Sequence, residues 1–195
     1  MRPNNVMLLL ERCLEAGSGD DELPSLFLEG PPGVGKTSMV YQVTQEQQVG
    51  FRHSQLTINS PEDLKGMPFP AKDGHAFQWL HDGYLPLTVN GARPDLPERG
   101  IWLLDDLTTA PPLVQASAYQ AVIWPHQVGT AKLLPGWIVV GAGNREIDQA
   151  LVKKMPTPLA NRFTHITMDW ALEHMQANLD DWTEWAAGAG VHPVV

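Results

Sequence analysis

Apolar residues along this chain follow two patterns, short apolar or alternating runs and longer stretches with helical spacing. The short runs predict five strands: Ser25–Glu29, Ser54–Ile58, Ile101–Leu104, Trp137–Gly141 and Thr164–Met168. Helical spacing through Leu14 predicts a first helix that ends at Gly17, and further helices over Thr37–Gln48 and Pro111–Trp124. Apolar strands that alternate with helices are typical of a parallel sheet covered on both faces. The pattern therefore predicts an α/β fold of three layers around a five-stranded parallel sheet.

Three segments lie outside this alternation. Residues 1–24 are expected to form an N-terminal helix and loop, and 61–99 an insertion rich in Pro, Gly and aromatic residues. Within the insertion, Asp73-Gly74 predicts a hairpin turn. Residues 169–195 have amphipathic spacing and predict a helical segment. We expect all 195 residues to belong to one domain.

Composition excludes several classes of protein. With 43% hydrophobic and 18% charged residues the chain is globular rather than disordered. Its 13 basic and 22 acidic residues give a formal charge of −9, which argues against nucleic acid as the main partner. The single cysteine, Cys13, cannot form an internal disulfide, and Glu11 and Arg12 interrupt the first apolar run before it could span a membrane. We therefore expect a cytoplasmic protein without a membrane segment.

A glycine-rich loop follows the first predicted strand and precedes a helix. Its residues are Gly30, Pro31, Pro32, Gly33, Val34, Gly35, Lys36 and Thr37, with Ser38 next. This is the complete Walker A pattern in its required context. Backbone N–H groups and the helix N-terminus would surround phosphates, Lys36 would reach the outer phosphates, and the Thr37 hydroxyl would bind Mg²⁺. The sequence therefore predicts an ATP and magnesium site; an ordinary turn with a solvated lysine is the competing interpretation.

Two aspartates follow the third predicted strand, at the strand end where ligands gather in parallel sheets. In this Walker B position Asp105 would hold magnesium and Asp106 would orient or deprotonate the attacking water. The alternative is that Asp106 only caps the following turn.

Taken together, these motifs and three others in the same order resemble the AAA+ ATPases, most closely the MoxR-like branch. The segments that carry the resemblance are Gly30–Thr37, Leu103–Leu107, Ala110–Pro112 with Val114-Gln115, Gly141–Asn144 and Leu159–Phe163. The resemblance covers 3–169 and implies the P-loop NTPase fold.

The resemblance also implies roles for single residues. Asn144 would be the sensor 1 residue that polarises the water or the γ-phosphate, and Arg162 the arginine finger offered to a neighbouring subunit. Alternatively, Asn144 is a turn residue and Arg162 a solvated arginine. Asn59 would either couple partner binding to Asp106 or cap a loop. The insertion at 61–99 would correspond to a hairpin that contacts a substrate or partner.

Two departures from the family pattern affect the expected function. Asp106 stands where relatives usually have glutamate, and its shorter side chain puts the hydrolysis rate in doubt more than binding. The chain also stops at Val195, where relatives begin a helical lid, so the lid is expected to be missing.

The leading hypothesis from the sequence is an oligomeric ATPase, as a suspected hexameric ring, that remodels or activates a protein partner. The resemblance suggests a von Willebrand factor A domain protein as this partner. The second hypothesis is a nucleotide-gated binding switch with little hydrolysis. A different P-loop enzyme, such as a GTPase or small-molecule kinase, is disfavoured because the chain has no Asn-Lys-x-Asp guanine motif.

Overall fold

A computed structural model describes residues 1–17, 24–71, 77–89, 93–145, 147, 155–168, 183–184 and 187–188. In chain order its elements are α1 (Pro3–Ala16), β1 (Ser25–Glu29), α2 (Lys36–Glu46), β2 (Gly50–Gln55), α3 (Pro61–Lys65), β3 (Met67–Pro70), β4 (Phe77–Leu80), β5 (Leu87–Thr88), β6 (Gly100–Asp105), α4 (Pro112–Val122), β7 (Gln127–Val128), β8 (Ala131–Leu133), β9 (Trp137–Gly143), α5 (Thr157–Ala160) and β10 (Phe163–Thr167). In this part of the chain no helix combines the length and apolar character needed to cross a membrane.

The central sheet has five parallel strands in the order β10-β1-β9-β6-β2. Counted along the chain among these five strands, the order is 5-1-4-3-2. Because all five run in one direction, their carboxyl ends lie at one edge of the sheet. The loop after β1 and the residues that end β6 and β9 therefore lie at the same edge. The predicted α/β fold with a five-stranded parallel sheet is confirmed.

Two apolar clusters cover the two faces of this sheet. Along β6, Ile101 and Leu103 face the cluster that contains α1 and α2, while Trp102 and Leu104 face the cluster that contains α4. All four side chains are fully buried. The Trp102 indole N–H donates to the Ser54 hydroxyl at 3.0 Å, so this large side chain is buried without losing its hydrogen bond. Burial on both faces explains why the strand is apolar at every position from Ile101 to Leu104.

The second strand is the largest error in the predicted boundaries. The sequence predicts Ser54–Ile58, whereas β2 is Gly50–Gln55, paired residue by residue with Gly100–Asp105. This strand lies at the sheet edge, and Phe51, Arg52 and His53 are only half buried there. An edge strand with polar residues that bond to other side chains has no strong apolar pattern, which is why the prediction was displaced toward Leu56.

The insertion at 61–99 contains the predicted hairpin. It also contributes strand β5 to a small sheet that the sequence did not predict. Strands β3 and β4 pair antiparallel, and the predicted turn at Asp73-Gly74 lies outside the described residues. A second small sheet, β5-β8-β7, joins the end of the insertion to the segment after α4. Such two- and three-residue strands leave almost no periodic signal. Of the predicted segment 169–195, only 183–184 and 187–188 lie among the described residues.

Candidate functional site

The glycine-rich loop owes its shape to two glycines with left-handed backbone. Gly33 has φ of 77° and Gly35 has φ of 89°, and side chains are strained in that region. The loop passes directly into α2, whose first turn has N–H groups without acceptors inside the helix. These donors and the positive end of the helix dipole face one side of the loop, an arrangement suited to phosphate.

Lys36 folds back over this loop from the first turn of α2. Its Nζ donates to the carbonyl oxygens of Gly30 at 2.9 Å and Pro31 at 3.0 Å, and to Asn144 Oδ1 at 2.9 Å. The side chain is buried, with 8% of its surface exposed. These three acceptors are neutral groups, so an anion in the loop would be a stronger partner for the ammonium than any of them.

Three donors surround the Asp105 carboxylate. Thr37 Oγ1 donates to Oδ2 at 2.7 Å, His53 Nε2 lies 3.0 Å from the same oxygen, and the Asp106 N–H donates to Oδ1 at 3.0 Å. Burial opposes ionisation of this group, but the hydrogen bonds from His53 and Thr37 outweigh it and lower the pKa of Asp105. The carboxylate is therefore ionised at neutral pH.

The residues here fit a magnesium ion of the kind that accompanies nucleotides. Thr37 and Asp105 place a hydroxyl and a carboxylate oxygen together, and Mg²⁺ prefers such oxygen ligands. Within the described ranges there is no cluster of three or more His, Cys, Asp and Glu side chains that could hold a metal without other help. A magnesium ion would therefore complete its shell with water and phosphate oxygens, as it usually does in such sites.

Asp106 lies beside Asp105 with a left-handed backbone, at φ of 56°. Its carbonyl oxygen accepts bonds from Thr109 and from the Ala110 N–H, so its main chain starts the following turn. In the described part of the chain its carboxylate makes no hydrogen bond, and it lines the cleft above Asp105. The main chain, rather than the carboxylate, makes the turn contacts.

Asn144 follows the end of β9 and is held by Thr108. The Thr108 hydroxyl accepts from the Asn144 N–H and donates to the Asn144 carbonyl, both at 3.1 Å. Gly143 allows this approach, since a Cβ there would lie 2.6 Å from Thr108 Oγ1. The amide side chain is thereby directed at Lys36.

These side chains line one open cleft of about 340 Å³. Its lining residues are Pro32, Gly33, Gly35, Lys36, Thr37, Ser38, Asp105, Asp106 and Asn144. Gly30 and Pro31 contribute through their carbonyls to Lys36, and Val34 is buried beneath the loop. Most residues predicted for the nucleotide site from the sequence therefore lie together.

Arg162 does not lie with the other predicted site residues. It is exposed in the turn before β10, next to a separate cleft of about 370 Å³ that also includes Trp124 and Asn161. Phe163 pairs with Ser25 at the start of β1, whereas Gly30 lies beyond the end of that strand. At a rise of about 3.3 Å per residue, Ser25 and Gly30 are about 17 Å apart along the strand. Arg162 therefore cannot reach the cleft of its own chain.

Sequence reasoning missed two residues of the site, His53 and Thr108. Both act through partners that are distant in sequence, Asp105 and Asn144, and no short motif contains them. Asn59 donates to the Asp63 carboxylate at 3.4 Å, beside a capping box formed by Ser60 and Asp63. This contact fits its loop-capping interpretation.

Comparison with known proteins adds evidence on the fold. No protein-family model matches the sequence, and no curated protein matches it. Among solved structures, a protein from Cytophaga hutchinsonii assigned as an ATPase is 18% identical with a TM-score of 0.57, and the match covers 95% of this chain and 51% of that one.

The RuvB Holliday junction branch migration motor of Thermotoga maritima is 23% identical with a TM-score of 0.57, covering 95% of this chain and 50% of RuvB. A single-substitution mutant of that RuvB gives 22% identity and a TM-score of 0.58. The chain thus spans about half the length of the solved structures that it matches. These structures show the fold alone: with its 5-1-4-3-2 sheet the chain has the three-layer P-loop NTPase fold that the sequence predicts.

Proposed function

We propose that this chain binds ATP with magnesium and hydrolyses it as one subunit of an oligomeric assembly that remodels or activates a protein partner. The observation that carries the proposal is the meeting of Lys36, Thr37 and Asp105 at one cleft beside an N–H-rich loop. A phosphate-binding loop, a hydroxyl and an ionised carboxylate are together the parts that a magnesium-nucleotide site requires.

Each residue of the cleft has a distinct task in this proposal. The loop N–H groups and the Lys36 ammonium bind the phosphates, and Thr37 and Asp105 hold the magnesium. When bound, magnesium would neutralise charge on the phosphate oxygens. The Asp106 carboxylate, which lines the cleft, orients the attacking water, and Asn144 positions the γ-phosphate next to Lys36.

The oligomer is proposed because Arg162 lies at the opposite end of the sheet. An exposed arginine that cannot reach its own cleft can still complete the cleft of a neighbouring copy. An arginine supplied in this way accelerates phosphoryl transfer by about 10³–10⁵. A closed ring, suspected to be a hexamer, would let every copy receive one arginine and give one.

The protein partner is proposed from the exposed apolar hairpin of the insertion. Phe69 and Phe77 are 47% and 73% exposed, with Met67 and Leu80 beside them. Exposed apolar side chains grouped on one element are a feature of protein-binding surfaces. A von Willebrand factor A domain protein is the partner that the MoxR-like resemblance suggests, and the acidic charge of the chain disfavours bare nucleic acid.

One observation favours a second candidate function, a nucleotide-gated switch that hydrolyses slowly. The Asp106 side chain is one methylene shorter than the glutamate usual in relatives, so its carboxylate reaches less far into the cleft. ATP would then change partner affinity while turnover stayed near background.

A mixing experiment tests the leading proposal. Lys36→Ala removes the ammonium that binds phosphate, and Arg162→Ala removes the arginine without touching the cleft of the same chain. We expect each variant alone to be nearly inactive in ATP hydrolysis. A mixture of the two should recover activity, because a subunit with intact Lys36 can receive Arg162 from its neighbour. Assembly mass, measured by light scattering, shows whether both variants still associate.

The outcomes separate the two candidate functions. Tight ATP binding without turnover in the assembled wild type would favour the switch. Equal activity of Arg162→Ala and wild type would remove the arginine assignment. Absence of nucleotide binding in the folded wild type would overturn the proposal altogether.

A further inference from the structure

His53 contacts the Asp105 carboxylate from an unexpected direction. It lies on the edge strand β2, opposite Leu103 in the pairing with β6. Its Nε2 lies 3.0 Å from Asp105 Oδ2, the oxygen that also accepts the Thr37 hydroxyl. Since an ionised carboxylate can only accept, Nε2 carries the proton and donates. The histidine thus makes a charge-assisted hydrogen bond, and its side chain is 31% exposed.

Neighbouring aromatic side chains hold the His53 ring and main chain. The Phe51 ring stacks on His53, with centroids 6.0 Å apart and an interplanar angle of 19°. On the open side of the edge strand, the His53 N–H donates to the Tyr84 hydroxyl at 3.1 Å. The Arg52 guanidinium lies over the Tyr84 ring, 4.9 Å from its centroid. The imidazole is therefore fixed before any ligand arrives, with one of its supports coming from the insertion.

The number of donors around Asp105 defines what the carboxylate can still bind. An ionised carboxylate offers about four lone-pair positions. Thr37, His53 and the Asp106 N–H occupy three of them. Without His53, the Oδ2 side would be held by Thr37 alone, and the carboxylate could rotate away from the loop. The three donors leave one position of the carboxylate open, and Asp105 lines the cleft that contains Lys36.

We propose that His53 is a positioning residue that orients the Asp105 carboxylate toward the magnesium of the bound nucleotide. The inference rests on the proposed nucleotide site and adds to it an imidazole support on the edge strand. His53 itself touches neither nucleotide nor metal. It acts through Asp105, in the way that hydrogen-bond partners behind metal ligands generally raise metal affinity.

The test separates magnesium binding from nucleotide binding. A fluorescent ATP analogue carrying a methylanthraniloyl group is bound first in EDTA and then titrated with Mg²⁺, using wild type, His53→Leu and His53→Gln. We expect unchanged analogue affinity in EDTA for all three proteins, because the loop and Lys36 are untouched. The Mg²⁺ midpoint should rise about tenfold in His53→Leu. Gln, whose amide nitrogen can stand where Nε2 does, should return the midpoint to within about threefold of wild type.

Two controls keep the test decisive. His165→Leu removes another strand histidine, which bonds the Ala160 carbonyl, and should leave the midpoint unchanged. If thermal unfolding shows that His53→Leu is not folded, His53→Asn replaces it, since the shorter amide cannot reach Oδ2.

Each result of the Mg²⁺ titration either supports or contradicts the positioning role of His53. An unchanged or lower midpoint in the variant without the donor would overturn the inference, and so would an equal rise in the Gln variant, because packing alone would then explain it. If wild type fails to bind the analogue at all, the proposed function is wrong and the inference loses its basis for that separate reason.

Discussion

The left-handed backbone of Asp106 restricts which side chains can do its work. At φ of 56° aspartate and asparagine are tolerated better than most residues, because their short polar side chains bond locally. The family that the sequence resembles usually has glutamate at this position, so by that comparison this chain combines a favourable backbone residue with a shorter reach. Aspartate at position 106 therefore favours the stability of the left-handed backbone, whereas glutamate would favour positioning of the attacking water.

Substitution of Asp106 separates these two effects. Asp106→Glu should raise the turnover number of ATP hydrolysis several-fold, while lowering the free energy of unfolding by about 1 kcal/mol for the left-handed strain. Asp106→Asn is the matched control, since it keeps the backbone preference and loses the charge. It should bind ATP like wild type and hydrolyse at least about 100-fold more slowly. Steady-state kinetics and urea unfolding measure both, and a fast Asn variant would contradict the role of the carboxylate.

Thr108 decides whether Asn144 can face Lys36. Its hydroxyl satisfies both main-chain polar groups of Asn144, in a place where Gly143 leaves room for it. Thr108→Val keeps the shape but leaves these groups without that partner, so we expect a loss of about 1–3 kcal/mol in unfolding free energy. Hydrolysis should fall more than ATP affinity, because Asn144 is displaced. Thr108→Ser should restore both, and a Val variant as active as wild type would show that Asn144 is positioned by other contacts.

At the level of elements, the insertion is organised by one arginine rather than by a core of its own. The Arg93 guanidinium forks onto Asp95, with bonds of 2.8 and 2.7 Å. It also donates to the carbonyls of Gly83, Leu85 and Leu87, which bracket the segment from Tyr84 to β5. The five N–H donors of the guanidinium lie in one plane, which allows these hydrogen bonds to form together. A lysine ammonium has no such planar set of donors.

Arg93→Lys should therefore loosen the insertion and leave the central sheet intact. We expect amide exchange in residues 83–89 to become roughly tenfold faster, with β6 and β9 unchanged, by hydrogen exchange with mass spectrometry. The hydrogen bond from Arg93 lowers the pKa of Asp95 to about 2. Its contribution is thus fully present above the ordinary aspartate pKa and is lost only as pH falls toward 2. Corrected protection should be equal at pH 7 and pH 5; a loss already at pH 5 would contradict the pairing.

For the whole molecule, the direction of the strands places the cleft and Arg162 at opposite ends of the sheet. The carboxyl ends of β1, β6 and β9 meet at the cleft with Lys36 and Asp105, whereas Arg162 precedes β10 and lies at the other end of the sheet. Under the proposed function, a cleft completed by Arg162 forms only when two copies meet. The fold thus makes association a requirement for fast hydrolysis under the proposed mechanism.

ATP hydrolysis per subunit should accordingly depend on protein concentration. We expect the specific rate to rise steeply through the range where light scattering detects assembly, by at least about 100-fold, because the neighbour supplies Arg162. Arg162→Lys, which retains the charge but loses the planar fork, should assemble at the same concentration and show little of the rise. A constant specific rate from dilute monomer to full assembly would exclude a shared site.

The sheet, the loop and most of the cleft could be predicted from the sequence alone. Apolar runs marked β1, β6 and β9 to within a few residues, because strands buried on both faces contain few polar residues. Edge strand β10, in which Phe163 and Ile166 are buried between exposed polar residues, was also predicted to within one residue. The glycine-rich loop could be identified because the phosphate-binding pattern fixes the residue type at four positions within eight consecutive residues. A motif whose residues are consecutive in the chain can be identified from the sequence alone.

The residues that surround those motifs could be identified only from the folded chain. Edge strand β2, the small sheet β5-β8-β7 and the contacts of His53 and Thr108 depend on residues far apart in the chain. Strand order and register determine which side chains become neighbours. Neither can be inferred from a single position in the sequence. The same strand order places Arg162 at a separate cleft, although the sequence predicted that it belongs to the same set of site residues as Lys36 and Asp105.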